Sequence, residues 1–86
     1  MKTLLEIAKL VEDKMVTLYQ EAGENEVNMS YWFRQSSVTI EMLYPKHVHK
    51  LLSELLAMSN QLKCESHIAD YQLSISSSRL KVSLFQ

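Results

Sequence analysis

Apolar positions in the first quarter of the chain recur at a helical period. Leu4, Ile7, Ala8, Val11, Met15, Leu18, Tyr19 and Ala22 fall on one stripe, because spacings of three and four return a residue to the same face of a 3.6-residue turn. This predicts a helix over residues 4–22. Thr3 and Glu6 precede it at capping-box spacing: the hydroxyl accepts from the Glu6 N–H while the carboxylate reaches back. Gly23, the only glycine, follows the last stripe residue, where a left-handed C′ position favours glycine. Lys9 and Asp13 stand four apart on the polar side. Leu10 lies well off the stripe and is expected to be exposed or to meet something outside the helix.

The period then changes to two. Val27, Met29, Tyr31 and Phe33 alternate with Asn28, Ser30, Trp32 and Arg34, and Val38, Ile40, Met42 and Tyr44 alternate with Thr39, Glu41 and Leu43. Alternation with β-branched and aromatic enrichment predicts two strands, 27–34 and 38–44. Only Gln35, Ser36 and Ser37 lie between them, so a hairpin is the simplest link. Pro45 opens a second helical stretch, since proline at a first helical position gives up no needed N–H. Val48, Leu51, Leu52, Leu55, Leu56, Met58 and Leu62 form its stripe, which ends near Lys63. A second hairpin closes the chain. Ala69, Tyr71, Leu73 and Ile75 alternate with Asp70, Gln72, Ser74 and Ser76, a turn is expected at Ser77 and Ser78, and Leu80, Val82 and Leu84 alternate with Arg79, Lys81, Ser83 and Phe85.

The order α-β-β-α-β-β implies a single α+β domain over residues 1–86. Each strand has one apolar and one polar face, and two amphipathic helices suffice to cover one face of four strands. The expected architecture is a two-layer sandwich, a four-stranded antiparallel sheet with both helices on one face. Moving the first strand of a ferredoxin-like βαββαβ chain to its end gives this order, so the topology is that of a permuted ferredoxin-like sheet. The alternative is a sheet completed by a second chain, through hairpin exchange or edge pairing, as in a homodimer.

Composition narrows the function classes. An 86-residue chain buries only about 60–65% of its unfolded surface, so its core is thin. The net charge of −1 argues against a general polyanion binder, which carries a clear basic excess. The charge is unevenly spread: residues 1–45 carry four cations against seven carboxylates, and residues 46–86 carry five against three. Cys64 is the only cysteine, so no internal disulfide forms, and a secreted domain this small usually needs such staples. Glu6, Lys9, Glu12 and Asp13 interrupt the apolar residues near the amino terminus, which leaves neither a signal peptide nor a membrane span. These features predict a cytoplasmic chain with no membrane association.

No constellation of residues points to catalysis. His47, His49, Cys64 and His67 include His-x-His and Cys-x-x-His spacings, but zinc needs ligands that converge tetrahedrally. His47 and His49 project from nearly opposite flanks of the second helix, and the glycine-rich knuckles common at structural zinc are missing. No metal and no cofactor is expected. Cys64 lacks an evident base in a cleft. Glu12 and Asp13 are adjacent on a helix and diverge by about 100°. A single glycine rules out a phosphate-cradling glycine loop.

The polar face of the sheet is more informative. It carries Trp32, Leu43 and Phe85, large apolar groups on the side that alternation assigns to solvent, together with Arg34, Arg79 and Lys81. Aromatic groups beside cations make protein hot spots, and on an open sheet they also stack and neutralise single-stranded nucleic acid. The blander reading packs Trp32 on a neighbouring side chain or a dimer mate. The expected function is a non-enzymatic binding module, a small inhibitor or regulator that contacts another protein through Trp32, Arg34, Leu43, Arg79, Lys81 and Phe85. A binder of RNA or single-stranded DNA using the same face is the alternative.

Overall fold

The computed structural model describes residues 2–24, 27–43, 48–76 and 79–86. Its first helix, α1, spans Leu4–Glu21. Thr3 caps it as the spacing requires: its Oγ1 accepts from the Glu6 N–H at 3.2 Å, and the Thr3 N–H donates to Glu6 Oε1 at 3.1 Å. Those two bonds satisfy donors that a helix start otherwise leaves orphaned. The other end closes with Ala22 as the cap and Gly23 at φ +84°. The Glu24 N–H reaches the Tyr19 carbonyl and the Gly23 N–H the Gln20 carbonyl, each at 3.0 Å. This is the Schellman arrangement, in which one left-handed residue lets two late carbonyls find donors.

The strands are β1 (Met29–Phe33), β2 (Ser37–Leu43), β3 (Asp70–Ser76) and β4 (Arg79–Phe85), and the second helix, α2, is Val48–Cys64. All pairings are antiparallel, and the sheet order is β1-β2-β4-β3. That is the ferredoxin-like strand order with its first strand moved to the end. β1 and β2 are joined by a tight two-residue turn at Gln35 and Ser36, closed by the Arg34 N–H on the Ser37 carbonyl at 2.8 Å. Ser37 therefore belongs to β2 rather than to the turn. Pro45, Tyr44 and the expected turn at Ser77 and Ser78 lie outside the described residues.

The helix-covered face holds the core. Val38, Ile40 and Met42 of β2 and Leu80, Val82 and Leu84 of β4 are buried against Ile7, Val11, Met15 and Leu18 of α1 and Leu51, Leu55 and Leu62 of α2. Burying each such side chain contributes roughly 1.5–3 kcal/mol. The two helices cover the two central strands fully, but not the edges. Phe33 at the end of β1 is 50% exposed and Ile75 near the end of β3 is 47% exposed, although both point to the covered face. Tyrosine hydroxyls clamp each edge strand to the helix above it. Tyr31 of β1 donates to the Glu12 carboxylate of α1, and Tyr71 of β3 donates to the Asn60 side-chain carbonyl of α2. Burial, and then the Glu12 hydrogen bond, push the Tyr31 hydroxyl pKa far above its usual range. Tyr19 donates from α1 to the Leu43 carbonyl, and burial first raises its pKa to about 12.

α2 ends with a second left-handed turn. Ser66 adopts φ +63°, the His67 N–H bonds the Leu62 carbonyl at 2.9 Å, and the Ser66 N–H bonds the Lys63 carbonyl at 3.1 Å. The geometry repeats that of Gly23, here on a residue with a Cβ, where it is less favourable.

Candidate functional site: the open face of the sheet

The face opposite the helices is built from the alternate residues of the same strands. Register fixes its rows. Trp32 stands beside Thr39, Thr39 beside Ser83, and Ser83 beside Gln72; in the next row Ser30, Glu41, Lys81 and Ser74 follow one another across the sheet. Arg34, Ser37, Phe85 and Asp70 form the row on the other side of Trp32.

These rows enclose a shallow depression of about 400 Å³ lined by Trp32, Arg34, Ser37, Thr39, Glu41, Lys81, Ser83 and Phe85. Thr39 and Ser83 make its floor, their hydroxyls 3.0 Å apart in a cross-strand hydrogen bond. Trp32 forms one wall and is 48% exposed. Phe85 stands two strands away, roughly 10 Å at ordinary strand spacing, and is half-buried. The sequence-predicted residues thus divide into two groups. Trp32, Arg34, Lys81 and Phe85 share the depression, whereas Leu43 and Arg79 pair with each other one row beyond it.

Charge is distributed just as unevenly. Arg79 is held by Glu41, Nη1 to Oε1 at 2.6 Å, an ion pair that crosses diagonally between β4 and β2. Glu41 is the more shielded partner, and its carboxylate lies in the depression. Among the described residues, neither Arg34 nor Lys81 comes within ion-pairing distance of a carboxylate. Asp70, at the β3 margin of the same face, is engaged by Lys63 at 3.5 Å. The Tyr71 N–H on its Oδ1, and then Lys63, hold the Asp70 pKa below the usual carboxylate value. Two cations of this face that lack an ion-pair partner among the described residues, Arg34 and Lys81, therefore both line the depression, beside Trp32.

The other candidate groups remain apart. Cys64 is an exposed thiol at the end of α2. The ring of His67 is turned to other partners: Nδ1 accepts from the Lys2 N–H at 3.2 Å, and Nε2 stands 3.5 Å from Glu65. No group of three or more His, Cys, Asp or Glu side chains converges among the described residues. His47 and the side chain of His49 lie outside them. Glu12 and Asp13 share Lys9, at 3.4 and 3.3 Å, while Glu12 also receives the Tyr31 hydroxyl. No helix among the described residues is long and apolar enough to cross a membrane.

Ser37 and Ser83 are the lining residues that the sequence did not single out. Alternation gave the face of Ser83, whereas Ser37 was expected in the link between β1 and β2, and the place of both at the depression depends on register. Comparison of the chain with protein-family models, curated proteins and solved structures returns no match.

Proposed function

We propose that the chain is a non-enzymatic cytoplasmic binding module, a small inhibitor or regulator that engages another protein through the open face of its sheet. The observation that carries this reading is the half-exposed Trp32 beside Arg34 and Lys81 in a depression on a sheet whose central strands are backed by two helices. Trp and Arg are the residue types most enriched in protein hot spots, and a concave, preorganised surface reduces the entropy lost on binding. Leu43 and Arg79, one row away, form the margin of the surface. Arg79 is already neutralised, so it orients Glu41 more than it attracts a partner. The mixed charge of the depression suits a protein surface that presents both a carboxylate and an amide or ammonium group.

Nucleic acid is the second reading, favoured by Arg34 and Lys81, unpaired among the described residues, and by the aromatic rings of Trp32 and Phe85, on which unstacked bases can lie. Glu41 in the depression and the overall charge of −1 weigh against it, because phosphate neutralisation supplies much of such affinity. Capture from lysate with and without nuclease separates the two. A protein partner stays bound after nuclease treatment to the wild-type chain and is lost from Trp32→Ala. Capture that vanishes with nuclease favours nucleic acid, and then Lys81→Ala should lower the slope of log affinity against log salt by about one unit.

A further inference from the structure

The two edges of the sheet are finished differently. β1 is five residues long, and the flank of α1 above it carries Glu12, bound to Tyr31, with Lys9 and Asp13 beside it. Short length and nearby charge are the usual means of keeping an edge from pairing. β3 is seven residues long, contains no proline, and has no charge from Tyr71 to Ser76. Its outward backbone groups follow from the ladder. The Gln86 N–H bonds the Ser36 carbonyl, so the even residues of β4 face β2 and the odd ones face β3. Their partners on β3 are Asp70, Gln72, Ser74 and Ser76, which leaves Tyr71, Leu73 and Ile75 turning N–H and C=O to the outside. The Tyr71 N–H is taken by Asp70 Oδ1 at 2.8 Å; those of Leu73 and Ile75 face the open edge.

The helix above this edge is apolar too. Leu52, Leu56, Asn60 and Lys63 form one stripe at helical spacing, and Asn60 and Lys63 reach Tyr71 and Asp70, so the stripe overhangs β3. The opposite flank of α2 faces α1 through Glu54 with Lys14 and Lys50 with Glu21. A rise of 1.5 Å per helical residue against 3.4 Å per strand residue sets Leu56 near the level of Leu73 and Leu52 near that of Ile75. Leu56 is 42% exposed and Ile75 47% exposed. One edge thus combines outward donors and acceptors, exposed leucine and isoleucine, and no charge between the Asp70–Lys63 pair and Ser76.

We propose that this edge is a homodimer interface, in which β3 pairs antiparallel with β3 of a second copy and α2 packs on its counterpart across a two-fold axis. The surface is complementary to itself. Antiparallel pairing sets the Leu73 and Ile75 backbone groups of one copy against the same groups of the other. It also lays Leu56 and Ile75 against an equally apolar strip, and it brings no like charges together at its centre. A two-fold axis requires one patch to match itself in this way, and a charged foreign strand would find no counter-ion here. The open face, with Trp32, stays uncovered in the eight-stranded sheet that results, so this proposal and the binding-face proposal fail independently.

Sedimentation equilibrium of the full chain tests it. The wild-type chain should show twice its 10.0 kDa mass. Ile75→Lys and Leu56→Glu should each weaken association about tenfold or more while keeping a cooperative melt, and Phe33→Lys at the other edge should leave it unchanged. Amide hydrogen exchange on the unmodified chain provides a reading that needs no substitution. The Leu73 and Ile75 amides should gain protection as protein concentration rises, and the outward amides of Tyr31 and Phe33 should not. A monomeric mass at every concentration, or Leu73 and Ile75 amides whose fast exchange ignores concentration, overturns the proposal. So does an association that Phe33→Lys disrupts as strongly as Ile75→Lys.

Discussion

The two faces of this sheet are made by the same strands, yet they differ in what they have finished doing. On the covered face, Val38, Ile40, Leu80, Val82 and Leu84 are fully buried, and two helices are committed to keeping them so. On the open face, Trp32 and Leu43 remain exposed and Lys81 has no counter-charge among the described residues, while a hydrogen bond ties Thr39 to Ser83 across the strands. The first arrangement is satisfied within the chain. The second leaves a large aromatic group and two cations on a face that no helix of the chain covers. That difference is what the proposed binding role of the open face rests on.

Truncation on each face should expose the difference at its largest. Leu55→Ala, in the buried centre of α2, should cost about 2–5 kcal/mol of stability, from lost transfer energy plus the cavity that remains. Leu43→Ala, on the open face, should cost less than about 1 kcal/mol, since much of that side chain is already in water. Urea unfolding of both variants compares them directly. Similar losses would mean that the open face contributes to folding, and the contrast between the faces would collapse.

The next effect concerns the helix that covers the core. Thr3→Ala removes the cap hydroxyl and should cost about 1 kcal/mol. It should also change the acid dependence of stability. The Thr3 N–H, and then the Thr3 hydroxyl, hold the Glu6 pKa below 4.5 in the folded chain. A carboxyl with a lowered folded pKa contributes stability that is complete above its unfolded value and is lost as pH falls through the folded one. Stability measured from pH 6 downward should therefore fall less steeply in Thr3→Ala than in the wild type. An identical acid slope would show that the Thr3 hydroxyl does not help to lower the Glu6 pKa, since the Thr3 N–H bond remains in the variant.

The smallest of these effects is a gain. Ser66→Gly should raise stability by about 0.5 kcal/mol, because relief of the left-handed Cβ penalty outweighs the extra freedom of an unfolded glycine. Thermal unfolding followed by circular dichroism checks it, and a loss would show that the Ser66 side chain contributes more than its backbone costs.

Much of the covered face was legible in the sequence. The stripe from Leu4 to Ala22, the Thr3–Glu6 box and Gly23 each state a local rule, and local rules need no partner to be read. The four alternating runs assigned the residues of the observed strands that they covered to a face correctly, including Trp32 and Lys81 on the open one. What alternation does not contain is lateral extent. It places Phe33 and Ile75 on the apolar side, but only the width of two helices decides that these edge positions stay half in water. Register is also a property of pairs of strands. Hence the Arg79–Glu41 bond, the pairing of Leu43 with Arg79 outside the depression, and the places of Ser37 and Ser83 within it became visible only in space. Ser66 illustrates a third kind of gap, because a serine in the left-handed region leaves no sign in the sequence comparable to Gly23.

The claim that the open face is the working surface rests on Trp32, and one paired measurement addresses it: thermal stability and partner affinity of Trp32→Ala against the wild type. Intrinsic fluorescence helps, since Trp32 is the only tryptophan and reports its own burial when the partner binds the wild-type chain. The account predicts a melting temperature within a few degrees of wild type and binding weaker by about 2 kcal/mol or more. A large loss of stability with unchanged affinity would contradict it and place Trp32 in a structural contact.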